Sequence, residues 1–157
     1  MMNNDVNPVI FYCNPNIYPE EEYLIRKNEI SNYAKKLGLT IIDDDYDHEL
    51  WKSKIKGLED EPERGTRCHE CFKIRLLRTA QKCAQLGIET FTTTLASSRW
   101  KSIEQINKAG LWAADQVEGV TFWERNWRKG GLQERRNQLL HENNFYNQLY
   151  CGCEFSF

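Results

Sequence analysis

Three amphipathic helical stretches, each closed by a glycine and followed by a short apolar run, constrain this chain more than any other feature. From Glu20 to Leu37, Tyr23, Ile30, Tyr33, Ala34 and Leu37 keep helical spacing, acidic residues fill the first turn behind Pro19, and Gly38 ends the pattern. Leu39 to Ile42 then reads as a strand. The longest stretch begins around Cys68, with Phe72, Leu76, Thr79, Cys83 and Leu86 at spacings of four, three, four and three, and Gly87 as its stop. Ile88 to Leu95, rich in Thr and Phe, reads as the next strand. A third helix is expected from about Lys101 to Ala109, closed by Gly110, with Val120 to Trp123 as a further strand. Ile10 to Tyr12 is a short apolar strand ahead of all three, and Asp47 caps a short helix carrying Leu50, Trp51 and Ile55. A polar helix from Leu132 to about Gln148 and a tail from Tyr150 complete the chain. Strands alternating with helices predict an α/β domain with a mainly parallel sheet, and 157 residues predict one domain spanning 1–157.

A 40% hydrophobic and 28% charged composition excludes a disordered or collagen-like chain, and no apolar run approaches the roughly 20 residues of a membrane helix. No membrane partner is expected. Met1 to Asn7 carries neither a basic residue nor an apolar core, so no signal peptide is read there and the cytoplasm is the expected compartment. With a formal charge of −2 there is no global attraction to nucleic acid, and any RNA contact must come from a local patch.

Six cysteines are many for a reduced compartment, where disulfides seldom hold a fold, so metal or redox chemistry is the leading explanation. Four form two tight pairs. Cys68 and Cys71 open the longest helix, where unpaired amides and the positive end of the helix dipole stabilise thiolates, and Arg64 and Arg67 add positive charge. This spacing serves zinc, iron–sulfur and dithiol sites alike, so it names a ligand type and not a metal. Cys151 and Cys153 flank Gly152, which permits either a strained, reversible disulfide or two further metal ligands. Cys83 lies on the apolar stripe of its helix and reads as core, and Cys13 reads as structural.

Thr92-Thr93-Thr94 and Ser97-Ser98, ahead of Lys101, end a strand and open a helix, where α/β proteins gather anionic ligands. An alternative is plain β-forming threonine followed by a serine cap. Between Trp123 and Arg136, five cations including Arg128 and Lys129 are interleaved with Trp123 and Trp127 and offset by Glu124 and Glu134. Arginine and aromatic planes stack on unpaired bases, which suits a single-stranded loop better than a duplex, and a solvated helix face is the competing reading.

In order along the chain, CNPNIYPEEEYLIR, EDEPERGTRCHECFKIRLLRTA, FTTTLASSRWKSIEQINKAG, WRKGG and YCGC resemble the epoxyqueuosine reductase family of the QueH type, over nearly the whole length. The resemblance implies a Rossmann-like (HUP-like) parallel sheet flanked by helices. It implies the last step of queuosine synthesis, two-electron reductive opening of an epoxide on tRNA, at the wobble base of the anticodon loop. A 4Fe-4S cluster and a second iron ion are the implied cofactors, with Cys68 and Cys71 as cluster ligands and Cys151 with Cys153 as a redox-active disulfide. Thr93, Ser97, Lys101, Arg128 and Lys129 are then the expected substrate contacts, and electrons come from a donor the sequence does not name. Family members begin with a strand and an adjacent cysteine pair, and no cysteine precedes Cys13 here, so the first strand and two of the four cluster ligands are expected to be missing. Asn126 stands where the family usually has Asp, and Arg99-Trp100 where a proline commonly precedes the lysine. The competing expectation is an inactive or partner-dependent truncated homologue in which Cys68, Cys71, Cys151 and Cys153 hold zinc.

Overall fold

A computed structural model describes residues 6–156. Along the chain run β1 (Ile10–Tyr12), α1 (Glu20–Lys36), β2 (Ile41–Asp43), α2 (His48–Lys54), α3 (Thr66–Gln85), β3 (Thr90–Phe91), a 3-10 turn (Thr94–Ser97), α4 (Ile103–Asp115), β4 (Thr121–Phe122) and α5 (Leu132–Glu142). The α/β alternation and the parallel pairing are as expected. The described strands form two parallel pairs, β1 with β2 and β3 with β4. β1 lies at Ile10–Tyr12 as expected and β2 is shifted toward Asp43, while β3 and β4 keep only two residues each of longer expected runs, Ile88 to Leu95 and Val120 to Trp123. Two compact units result. One runs to Leu50 and resumes at Tyr146; the other spans Trp51 to Phe145.

In the second unit, α3 lays its stripe of Phe72, Leu76, Ala80 and Cys83 against Ile106, Ala109 and Ala113 of α4, with Phe91 and Val120 closing the cluster. Ala80, Ala109 and Ala113 are fully buried, and small side chains at these positions let the helices approach closely. Cys83 is part of this core, as its spacing predicted. Gly110 does not end α4. The helix runs on to Asp115, and a Cβ at Gly110 would stand 2.3 Å from the Phe122 ring, so the glycine is where β4's aromatic side chain seats on the helix.

In the first unit, Tyr12, Ile17 and Tyr23 form the core, with Ile30, Ile41 and Tyr46 packed around it. The Tyr23 ring lies 4.2 Å from that of Tyr46 and 5.3 Å from that of Tyr12. Its hydroxyl donates to Asp43 Oδ1 at 2.9 Å, and burial together with that hydrogen bond pushes the phenol well above its ordinary range. Asp47 caps α2 as expected, accepting from the Leu50 amide at 2.9 Å. The cap of α4 is Ser102, which accepts from Gln105, while Thr93 caps the 3-10 turn.

Candidate functional site

α3 starts at Thr66, two residues before the expected start, so Cys68 and Cys71 lie in its first two turns, three residues apart and therefore on one face. Cys68 is half-buried and accepts from the Arg64 amide at 3.4 Å; Cys71 is buried. Both are thiols. The turn that presents them is held from two sides. Arg67 is only 1% exposed, and its Nη1 donates to the carbonyls of Leu58, Glu59 and Glu61, tying the incoming loop to the helix. Arg64 holds a left-handed φ of 66°, a costly conformation for a side chain with a Cβ, and Gln105 Nε2 donates to its carbonyl at 2.6 Å. The two arginines read from the sequence as nearby positive charge thus have structural duties as well.

Arg64 also brings in the second set of expected residues. Its Nε donates to the Trp100 carbonyl at 2.7 Å and its Nη2 to the Arg99 carbonyl at 2.9 Å, drawing the 99–101 segment to the start of α3. Lys101 then stands with its ammonium 5.5 Å from the centre of the Phe72 ring, one turn beyond Cys68. Trp100 remains 67% exposed, with the Arg99 guanidinium over its ring at 4.8 Å. Arg99 and Trp100 thus place an open aromatic–cation contact beside the cysteines.

The basic segment is joined to the β3 end by two hydrogen bonds. Trp127 Nε1 donates to the Thr93 carbonyl at 3.0 Å, and Thr92 Oγ1 to the Trp123 carbonyl at 2.9 Å. Trp123 and Trp127 meet edge to face at 5.6 Å, with Arg125 stacked over both rings. Asn126 Oδ1 accepts from the Arg128 amide at 3.1 Å, making the local turn that an aspartate would also make. Thr93 and Ser97 use their hydroxyls locally: Thr93 accepts from Leu95 and Ser97 donates to the Thr94 carbonyl. The Trp127 hydrogen bond therefore brings Arg128 and Lys129 near Thr93, while Lys101 lies by α3 and Ser97 bonds within its own 3-10 turn.

In the other unit, the C-terminal tail is a built feature and not a loose end. Tyr18 donates its amide to the Gly152 carbonyl at 2.9 Å, and Cys153 pairs with Ile17 in an antiparallel bridge. Arg26, 7% exposed, donates from Nη1 to the Cys151 carbonyl at 3.2 Å and from Nη2 to that of Tyr150 at 3.0 Å. Its Nε pairs with Glu22 at 2.7 Å, and the Tyr146 hydroxyl completes Glu22 at 2.9 Å. His48 bridges the Pro15 carbonyl and Glu154 at 2.8 and 2.9 Å. Gly152 has a φ of 97°, and a Cβ there would fall 2.7 Å from Ile17 Cγ1, so both conformation and space require glycine. Around the sulfurs, the Cys153 amide donates to Cys151 Sγ at 3.4 Å and the Ser156 hydroxyl lies 3.1 Å from the same atom. The hydrogen bond to Cys151, and then burial, pushes the Cys153 thiol far up; the Phe155 amide and the Ser156 hydroxyl oppose that rise.

Nothing local in the sequence marks Arg26 and Glu22 as supports of the tail. An arginine four residues after a glutamate on a helix is ordinarily a solvated pair, and only the contact with residues 150 and 151 distinguishes it. Among the described residues, no group of three or more His, Cys, Asp or Glu side chains is gathered for one metal ion, and no helix is long and apolar enough to cross a membrane. Two thiols on one helix face are a soft donor pair, which names a ligand type and not a metal.

The family model described as "Epoxyqueuosine reductase QueH" matches residues 1–157. Among curated relatives carrying that name, the Histophilus somni protein is 47% identical over 94% of this chain, and the Haemophilus influenzae protein 46% over the same share. The Acinetobacter baylyi protein is 44% identical, again over 94% of the chain. The chain spans 60% of the length of the first two relatives and 67% of the third. A family model matching residues 1–157, together with relatives 44–47% identical over 94% of the chain, makes this chain a member of the epoxyqueuosine reductase QueH family.

Proposed function

We propose that the protein is a cytoplasmic epoxyqueuosine reductase, reducing epoxyqueuosine to queuosine in tRNA. The observation that carries the reading is the start of α3, where Cys68 and Cys71 are presented on one face and Arg64 draws Lys101 and the exposed Trp100 beside them. Opening the epoxide to an alkene consumes two electrons and two protons and releases water. Oxidation of Cys151 and Cys153 to a disulfide releases two electrons and two protons, so epoxide plus dithiol balances alkene, water and disulfide. A 4Fe-4S cluster held in part by Cys68 and Cys71 supplies low-potential electron transfer when bound, and a second iron a Lewis acid for the departing oxygen.

This chain's own residues bind and orient. Lys101, Arg128 and Lys129 offer charge to the phosphates of an anticodon loop, and Thr93 and Ser97 offer hydroxyls on the same unit. The Trp123, Arg125 and Trp127 stack gives a flat, cationic platform suited to an unpaired base. The direct test is to incubate tRNA containing epoxyqueuosine with anaerobically prepared protein and a reductant, then digest and weigh the nucleosides. Loss of one oxygen atom from the modified base is the expected result; an unchanged base with the cluster intact overturns the reading.

RNA binding has its own expected signature. Replacing Arg128 and Lys129 with alanine should weaken tRNA binding and lower the salt slope by about one unit for each phosphate that the variant no longer neutralises. Iron–sulfur absorption should be unchanged. Titrations at several salt concentrations read the slope, and unaltered binding would assign these residues to a solvated loop.

A further inference from the structure

We infer that Cys151 is the sulfur through which the tail pair exchanges with an external dithiol reductant, and that Cys153 is its buried resolving partner. The inference rests on the reading of the pair as a redox dithiol and adds the order in which its two sulfurs act. Three observations support that order. Cys153 is 7% exposed and fixed by its bridge to Ile17, whereas Cys151 is half-buried. Cys151 Sγ accepts the Cys153 amide and has the Ser156 hydroxyl beside it, an arrangement that stabilises negative charge on Cys151. The hydrogen bond to Cys151, and then burial, push the Cys153 thiol up, so that Cys153 resists ionising.

Exchange requires a thiolate to approach the attacked sulfur in line with the bond it breaks, so access decides which sulfur is attacked. In the oxidised pair, one thiolate of the reductant attacks Cys151 Sγ. A new sulfur–sulfur bond forms there, the Cys151–Cys153 bond breaks, and Cys153 leaves as a thiolate. Cys153 then takes up a proton from solvent. The second thiolate of the reductant then attacks its own mixed-disulfide sulfur, releasing the Cys151 thiolate and an oxidised reductant. Two electrons enter the pair and one disulfide is exchanged for another. Arg26 takes no part in the bond changes. It is a positioning residue, holding the carbonyls of residues 150 and 151 and with them the turn that carries the pair.

The test uses the intact, reduced protein. Substoichiometric iodoacetamide, followed by fragmentation of the C-terminal peptide, should place at least tenfold more label on Cys151 than on Cys153, and unfolding in denaturant should equalise the two. With glutathione disulfide as probe, Cys153→Ser should accumulate a mixed disulfide on Cys151, while Cys151→Ser should react at least tenfold more slowly. Equal labelling of the folded protein, or faster reaction of Cys153, overturns the assignment without needing either variant to fold. Diamide oxidation reads the underlying pair separately. If it leaves both thiols open to alkylation, the redox reading itself fails, and with it the exchange step, whatever the labelling order.

Discussion

Serine at both Cys68 and Cys71 should remove the broad visible absorption of anaerobically purified protein and reduce epoxyqueuosine conversion by more than about a hundredfold. Loss of mere supporting groups around a metal already costs about 10–100-fold, and here two proposed ligands are removed at once. Folding should survive. The hydroxyl is close in size to the thiol and can accept from the Arg64 amide as Cys68 Sγ does, and the Arg67 and Arg64 guanidinium bonds also hold the turn. Iron content, absorption and nucleoside analysis read the three consequences separately. Parent protein that is colourless and carries stoichiometric zinc would replace the iron–sulfur assignment with a zinc site.

Alanine at Arg26 should destabilise the protein by about 3–5 kcal/mol, the usual cost of leaving one member of a buried ion pair behind. That is a large fraction of a typical domain stability of about 5–15 kcal/mol. Glu22 would lose its ion pair while keeping the Tyr146 hydrogen bond, and the carbonyls of Tyr150 and Cys151 would lose the guanidinium. The tail should then become the first site of limited proteolysis, detected as a shortened C-terminus by mass spectrometry. Lysine at the same position retains charge but not the planar fork that serves three acceptors, so it should recover only part of the stability. Joint replacement of Glu22 by leucine and Arg26 by methionine removes the stranded carboxylate and should be less harmful to global stability than Arg26→Ala, while the tail remains sensitive to protease. A tail equally protected in Arg26→Ala would mean that the Ile17 bridge and the His48–Glu154 contact suffice to hold it.

What the sequence determined by itself is local and periodic. The stripe from Phe72 to Cys83 faces the core because residues three and four apart share one side of a helix whatever else the chain does. The Asp47 cap and the position of Cys68 and Cys71 in the first turns of α3 follow from the same short-range rules. The family, too, was legible, since its motifs are contiguous strings. Tertiary structure decided what depends on residues distant in sequence. Gly110 reads as a stop because glycine is a poor helix former, yet α4 continues through it because the Phe122 ring needs the space a Cβ would fill. β3 and β4 are shorter than their apolar runs because pairing, not propensity, defines a strand, whereas β1 has the bounds its sequence suggests. Arg26 supports a tail about 125 residues away, a contact for which helical spacing holds no signal. The same holds for the sulfurs of Cys151 and Cys153, which are alike in the sequence. They become unlike only when one is pinned against Ile17 and the other accepts the Cys153 amide with the Ser156 hydroxyl beside it.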